Sequence, residues 1–177
     1  MENSAVLSSR DLQSLSGLNI PAPPWSLRGE AFVLLDRVHP ILCLVKYEDS
    51  PVGSYLELAG VRLTWGGPSV VSMPVNSLAA REGGRRGWGF PKELADLRWE
   101  QHGERVTFRA GKTVWRFRGF GPSFPIALSA WTVQTHNGEI VRVPVRVAGK
   151  ARFAFRGRQL ALWLREMQLD VLEASRV

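Results

Sequence analysis

From Trp25 onward, apolar and polar residues alternate in short runs separated by turn-forming residues. Ala31–Val38, Ile41–Tyr47, Ser54–Trp65 and Pro68–Val75 read as strands. The second half repeats the pattern. Gln101-His102-Gly103-Glu104 separates Asp96–Glu100 from Arg105–Arg109, and Ala110-Gly111-Lys112 leads into Thr113–Phe120. Asn137-Gly138, the strongest short hairpin signal, lies between Ile126–Thr135 and Ile140–Val147, and Ala148-Gly149-Lys150 precedes Ala151–Arg156. These runs predict an antiparallel meander, a kind of sheet that commonly closes up or packs on itself to hide its edges. From Gln159 to about Ala174 the period changes. Leu160, Trp163, Leu164, Met167, Val171 and Leu172 recur at helical spacing, predicting a C-terminal helix that covers an open side of the sheet.

Ahead of the strands, residues 1–24 form a polar, Ser-rich lead-in that ends in Pro21-Ala22-Pro23-Pro24, a stiff and extended stretch. Residues 25–177 then make a single domain. A length of 177 residues, with 45% apolar and 22% charged side chains, excludes wholesale disorder and supports one real core. The longest apolar runs, Ala31–Leu35 and Ile41–Val45, are five residues long, far short of a membrane span of about 20. With no basic segment followed by an apolar stretch in Met1–Gly17, the chain reads as cytoplasmic.

The lone cysteine, Cys43, lies in Ile41-Leu42-Cys43-Leu44-Val45 and reads as a buried, inert thiol. It excludes a disulfide framework and any multi-cysteine metal site. His39, His102 and His136 show no ligand spacing, so neither a metal nor another cofactor is expected. A net charge of +7 is compatible with nucleic acid, but the arginines are scattered at alternate strand positions, which predicts solvated faces and no nucleic-acid partner. The cations also narrow any amine chemistry, because only Lys46, Lys92, Lys112 and Lys150 are lysines.

Residues 68–99 do not read as an ordinary meander, although Pro68–Val75 within them is strand-like. After Asn76-Ser77-Leu78-Ala79-Ala80 comes Arg81-Glu82-Gly83-Gly84-Arg85-Arg86-Gly87-Trp88-Gly89-Phe90-Pro91-Lys92-Glu93-Leu94-Ala95. This reads as a glycine-rich loop that lets backbone approach a ligand, followed by a short helix that Pro91 begins. A lysine in the first turn of that helix, walled by Trp88 and Phe90, would meet two influences against its charged form: the helix dipole and desolvation. That matters because an ordinary lysine is almost wholly protonated at neutral pH, whereas attack on a carbonyl needs the free amine. The residues alone leave two readings open, a nucleophilic amine or a lysine snorkelling at a loop edge.

The stretch Gly87-Trp88-Gly89-Phe90-Pro91-Lys92-Glu93-Leu94-Ala95 resembles the acetoacetate decarboxylase family. So do Met73-Pro74-Val75-Asn76 and Ser50-Pro51-Val52-Gly53-Ser54-Tyr55-Leu56-Glu57 upstream, with Pro24-Trp25-Ser26-Leu27-Arg28-Gly29 fitting the start of that family's domain. The resemblance runs over about residues 24–99. It implies a mainly β (α+β), cone-like, closed antiparallel barrel or sheet around a buried cavity. It implies Lys92 as the Schiff-base lysine, a role for which the family is a standard example of an activated amine. Glu57 is similar to the family's cavity acid, and Arg28 corresponds to an N-terminal arginine that would hold a substrate carboxylate. Tyr55, Met73, Trp88 and Phe90 would line the cavity.

The expected activity is therefore decarboxylation of a small β-keto acid. Two alternatives stand beside it: Schiff-base aldol or dehydration chemistry, and non-catalytic binding of a small ligand in a β-barrel. The family and the exposed strand edges predict a homo-oligomer.

Overall fold

A computed structural model describes residues 19–36 and 38–177, so most of the 1–24 lead-in lies outside the described residues. The strands are β1 (Trp25–Leu34), β2 (Ile41–Asp49), β3 (Tyr55–Thr64), β4 (Gly67–Val75), β5 (Lys92–Leu94) and β6 (Leu97–His102). They continue with β7 (Arg105–Ala110), β8 (Thr113–His136), β9 (Glu139–Arg156), β10 (Gln159–Val171) and β11 (Ser175–Arg176). Among the described residues one helix, α1 (Leu78–Trp88), interrupts them. All belong to one sheet in the order β5-β4-β3-β2-β1-β10-β9-β8-β7-β6, with β11 on β9.

The expected meander is present. Asn137 and Gly138, at φ 51° and 79°, make the tight turn between β8 and β9. Gly103 at φ 58° turns β6 into β7. The sheet is mixed, not wholly antiparallel, because β5 runs parallel to β4. It is also not a closed barrel. Edge strands β5 and β6 are consecutive in the chain yet share no ladder, and the sheet instead curls until β4 packs against β8.

Two cores form on the two faces of this sheet. One gathers Trp25, Leu27, Tyr47, Tyr55, Val75 and Trp88, and the other Phe32, Leu44, Phe108, Phe117 and Trp163. Strand β1 feeds both. A bulge between Gly29 and Ala31 lies between its two halves, and Ala31 and Phe32 are buried on opposite sides.

Three further sequence expectations need correction. The C-terminal helix is strand β10, antiparallel to both β1 and β9. Its register shifts between Arg165 and Gln168, where Glu166 takes φ 50°. Buried residues therefore fall at Ala161, Trp163, Leu164, Met167 and Val171, a spacing that imitates a helix although each half keeps period two. Likewise Ala148-Gly149-Lys150 is not a turn. Strand β9 runs through it, with Gly149 close against the bulged backbone of Arg165 and Glu166.

The third correction concerns residues 78–95, where the order of loop and helix is reversed. The glycine-rich segment is helix α1, and Lys92 opens a strand. Ser77 caps the helix by accepting the Ala80 N–H at 3.2 Å, and Gly89, left-handed at φ 71°, ends it by donating to the Arg85 carbonyl. Gly83 and Gly84 inside the helix cost about 1 kcal/mol each relative to alanine. The Trp25 ring lies against Gly83 and makes an edge contact with Trp88 at 5.2 Å. Burying such rings removes about 150–250 Å² each from water, at about 25 cal/mol per Å², so packing outweighs the glycine penalty.

Candidate active site

Lys92 and Glu57 come from strands that do not touch. Glu57 lies on β3 opposite Val75 of β4, and Lys92 lies on β5 opposite Met73 of β4. Two strand spacings amount to about 9–10 Å, a gap that a long side chain closes. Lys92 Nζ donates to Glu57 Oε2 at 2.7 Å, and both side chains are 5% exposed. The lysine stem passes over Gly84, where a Cβ would fall 2.6 Å from its Cδ and Cε.

Two phenols complete the cluster. Tyr47 Oη donates to Glu57 Oε1 at 3.2 Å, so each carboxylate oxygen has a donor. Lys92 Nζ lies 3.4 Å from Tyr55 Oη and 5.0 Å from the Tyr55 ring centroid. Tyr47 and Tyr55 are cross-strand partners on β2 and β3. Burial, then the Glu57 charge, pushes both phenols well above their usual range, so they act as neutral donors. Cys43 is pushed up to about 12 by burial and by Glu57, in keeping with an inert thiol.

These groups face a cavity of about 110 Å³. At about 30 Å³ per water, it holds the equivalent of about four water molecules, the scale of a small carbonyl compound. Lys92, Glu57, Tyr55, Met73, Trp88 and Phe90, all anticipated from sequence, line it together. Trp88 is fixed by its indole N–H, which donates to the Leu172 carbonyl at 2.6 Å. Trp25, Leu27, Val70, Val145, Leu169 and Val171 add apolar wall.

Arg28 is not brought to this cavity. Leu27 faces inward, so period two turns Arg28 to the outer face, where it is exposed and lines a separate surface cleft with Lys46, Glu48 and Arg165. Glu93, beside Lys92, is also exposed and turned away. Sequence reasoning missed Tyr47 and Thr132, both of which line the cavity. A signal for Tyr47 was available, since the chain has only two tyrosines and both sit here. Thr132 arrives on distant β8, and nothing local marks it.

The arrangement is a buried amine, a carboxylate and two neutral phenols in a small apolar chamber. The ion pair needs no other ion for neutrality, and proton transfer along its 2.7 Å hydrogen bond exchanges ammonium–carboxylate for amine–carboxylic acid at no change in net charge. That is the proton inventory of carbonyl condensation.

No protein-family model matches the chain, and no curated protein matches it either. Solved structures do. Acetoacetate decarboxylase from Legionella pneumophila superposes with a TM-score of 0.57 at 13% identity, over 100% of this chain and 98% of that one. Another acetoacetate decarboxylase structure gives a TM-score of 0.59 at 12% identity, over 97% and 98%. The enduracididine biosynthesis enzyme MppR, at a TM-score of 0.48 and 10% identity, is more distant. The chain thus has the acetoacetate decarboxylase-like fold. Among the described residues, no helix is long and apolar enough to cross a membrane.

Proposed function

We propose that this protein is a Schiff-base lyase of the acetoacetate decarboxylase type, removing carbon dioxide from a small β-keto acid through Lys92. The observation that carries this reading is the Lys92 amine, buried at the cavity wall and 2.7 Å from Glu57. The fold and the Gly-Phe-Pro-Lys and Tyr-x-Glu elements support it.

Glu57 takes a proton from the Lys92 ammonium, and the free amine adds to the ketone carbon. The returned proton helps the carbinol oxygen leave as water, giving an iminium. The bond to the carboxyl carbon then breaks, its electron pair moves into the iminium, and carbon dioxide departs from a neutral enamine. A proton delivered to the enamine carbon regenerates an iminium, and water releases the ketone and restores the ammonium. The apolar walls keep bulk water from these intermediates.

Carbon dioxide release from a panel of short β-keto acids tests the proposal. The expected result is turnover by the native chain and loss of at least a thousandfold, to about background, in Lys92→Met. The enamine is common to aldol and dehydration chemistry, so condensation products without carbon dioxide would reassign the reaction while keeping the lysine. No turnover and no condensation would leave a ligand-binding protein.

A further inference from the structure

The charge inventory of the cavity extends this reading to how the substrate is held. Among the described residues, Lys92 is the sole cation lining it and Glu57 the sole anion, and they are already paired. With Arg28 on the outer face, no guanidinium among the described residues lines the chamber. What the cavity does offer is Thr132. Thr132 lines the chamber from β8, and its Oγ1 is shut off from solvent with no hydrogen-bond partner among the described residues. Gln134, two residues on and therefore on the same face, is 4% exposed with its Nε2 equally unpartnered. Buried polar groups are normally satisfied, so an orphan hydroxyl on a cavity wall marks the place of a ligand atom.

We infer that Thr132 receives the carboxyl group of the keto acid, and that the substrate enters with one proton, so that the loaded cavity stays neutral. The inference rests on Lys92 being the nucleophile. The resting pair carries no net charge, and a keto-acid anion brings one negative charge. Condensation of an ammonium with a ketone gives an iminium and water, leaving that charge unchanged. Protonation of Glu57 cancels it.

Among the described residues, the groups facing Glu57 are Lys92 from β5, Tyr47 and Cys43 from β2 and Tyr55 from β3, and only Lys92 is a cation. After carbon dioxide leaves, the proton on Glu57 goes to the enamine carbon, so the proton taken up on binding is the one the decarboxylation consumes. A neutral hydroxyl suits this chemistry. A bidentate arginine would stabilise a carboxylate charge that disappears in the transition state, whereas a hydroxyl holds the group without that ground-state penalty.

Calorimetry in buffers of different ionisation enthalpy tests the proposal. The probes are levulinate, a keto acid whose carboxyl lies too far along the chain to be lost through the enamine, and methyl propyl ketone, which is uncharged. The native chain should take up about one proton per levulinate bound and none with the ketone. Thr132→Val, matched in shape, should weaken levulinate about tenfold and leave the ketone within about twofold. Its thermal unfolding should match the native chain, and Thr132→Ser should restore levulinate binding.

Levulinate binding without proton uptake would overturn the inference, as would equal effects of Thr132→Val on both probes, no effect on either, or no binding of either probe. Borohydride reduction of the same samples separates the two claims. Trapped ketone without proton-linked levulinate binding retains Lys92 and rejects the inference. Thr132-dependent, proton-linked binding without any trapped adduct retains carboxyl recognition and rejects the Schiff base.

Discussion

Gly84 leaves the space through which the Lys92 side chain reaches Glu57. A Cβ at Gly84 would come within 2.6 Å of Cδ and Cε, and the flexible lysine stem, not backbone, is what stands there. Gly84→Ala should therefore leave stability within about 1 kcal/mol, because better helix propensity offsets the crowding. It should displace the amine and cut keto-acid turnover at least tenfold. Melting curves and initial rates check both parts. Gly83→Ala differs, since its Cβ would meet the rigid Trp25 ring at 2.3 Å, and it should cost about 1–3 kcal/mol.

The buried pair makes a second prediction. Lys92→Met or Glu57→Leu alone leaves one member of a 2.7 Å pair without its partner at 5% exposure. Each should destabilise the fold by about 3–5 kcal/mol where the remaining group stays charged. The double replacement Lys92→Met with Glu57→Leu removes both charges and should recover most of that loss. Denaturant unfolding of the four proteins as a double-mutant cycle measures the coupling.

Alkaline titration reads the two phenols directly, because Tyr47 and Tyr55 are the chain's only tyrosines. Both are raised by burial, then by Glu57. A folded-state value above the unfolded one gives stability that is fully present below about pH 10 and is lost as pH rises through the folded-state value. Tyrosinate absorbance should therefore stay flat in the native protein through about pH 10, then rise together with the loss of tryptophan fluorescence structure. Phenolate formation at pH 10 in a still-folded chain would contradict the burial of both phenols.

The bulge in β10 can be tested at Glu166. A non-glycine residue at φ 50° carries a backbone cost, and its ion pair with Lys150 is exposed and worth little. Glu166→Gly should raise stability by up to about 1 kcal/mol. In a helix the same change would lower it by about that amount. Thermal unfolding distinguishes the two.

How much could be read from the chain depended on whether the signal was local. Asn137-Gly138 specifies its own hairpin, and the Tyr-x-Glu and Gly-Phe-Pro-Lys elements carry Tyr55, Glu57 and Lys92 to one cavity wall. The β10 strand imitates a helix in sequence because a register shift at Glu166 turns two period-two halves into one helical spacing. Helix α1 was misread because Gly83 and Gly84 look like a loop until Trp25 and Lys92 are seen lying on them. Arg28 was assigned by resemblance, but strand alternation after Leu27 turns it outward. Thr132 depends on β8 curling over β4, a long-range arrangement with no local signature.

On the proposed chemistry, the buried amine of Lys92 condenses with a ketone. Incubation with a short keto acid, reduction with borohydride and peptide mass mapping tests it most directly, since the other lysines, Lys46, Lys112 and Lys150, serve as internal controls. The expected result is one reduced adduct, on Lys92, that disappears in Lys92→Met. An unlabelled chain, or label spread over the other lysines with Lys92 unmodified, would contradict it.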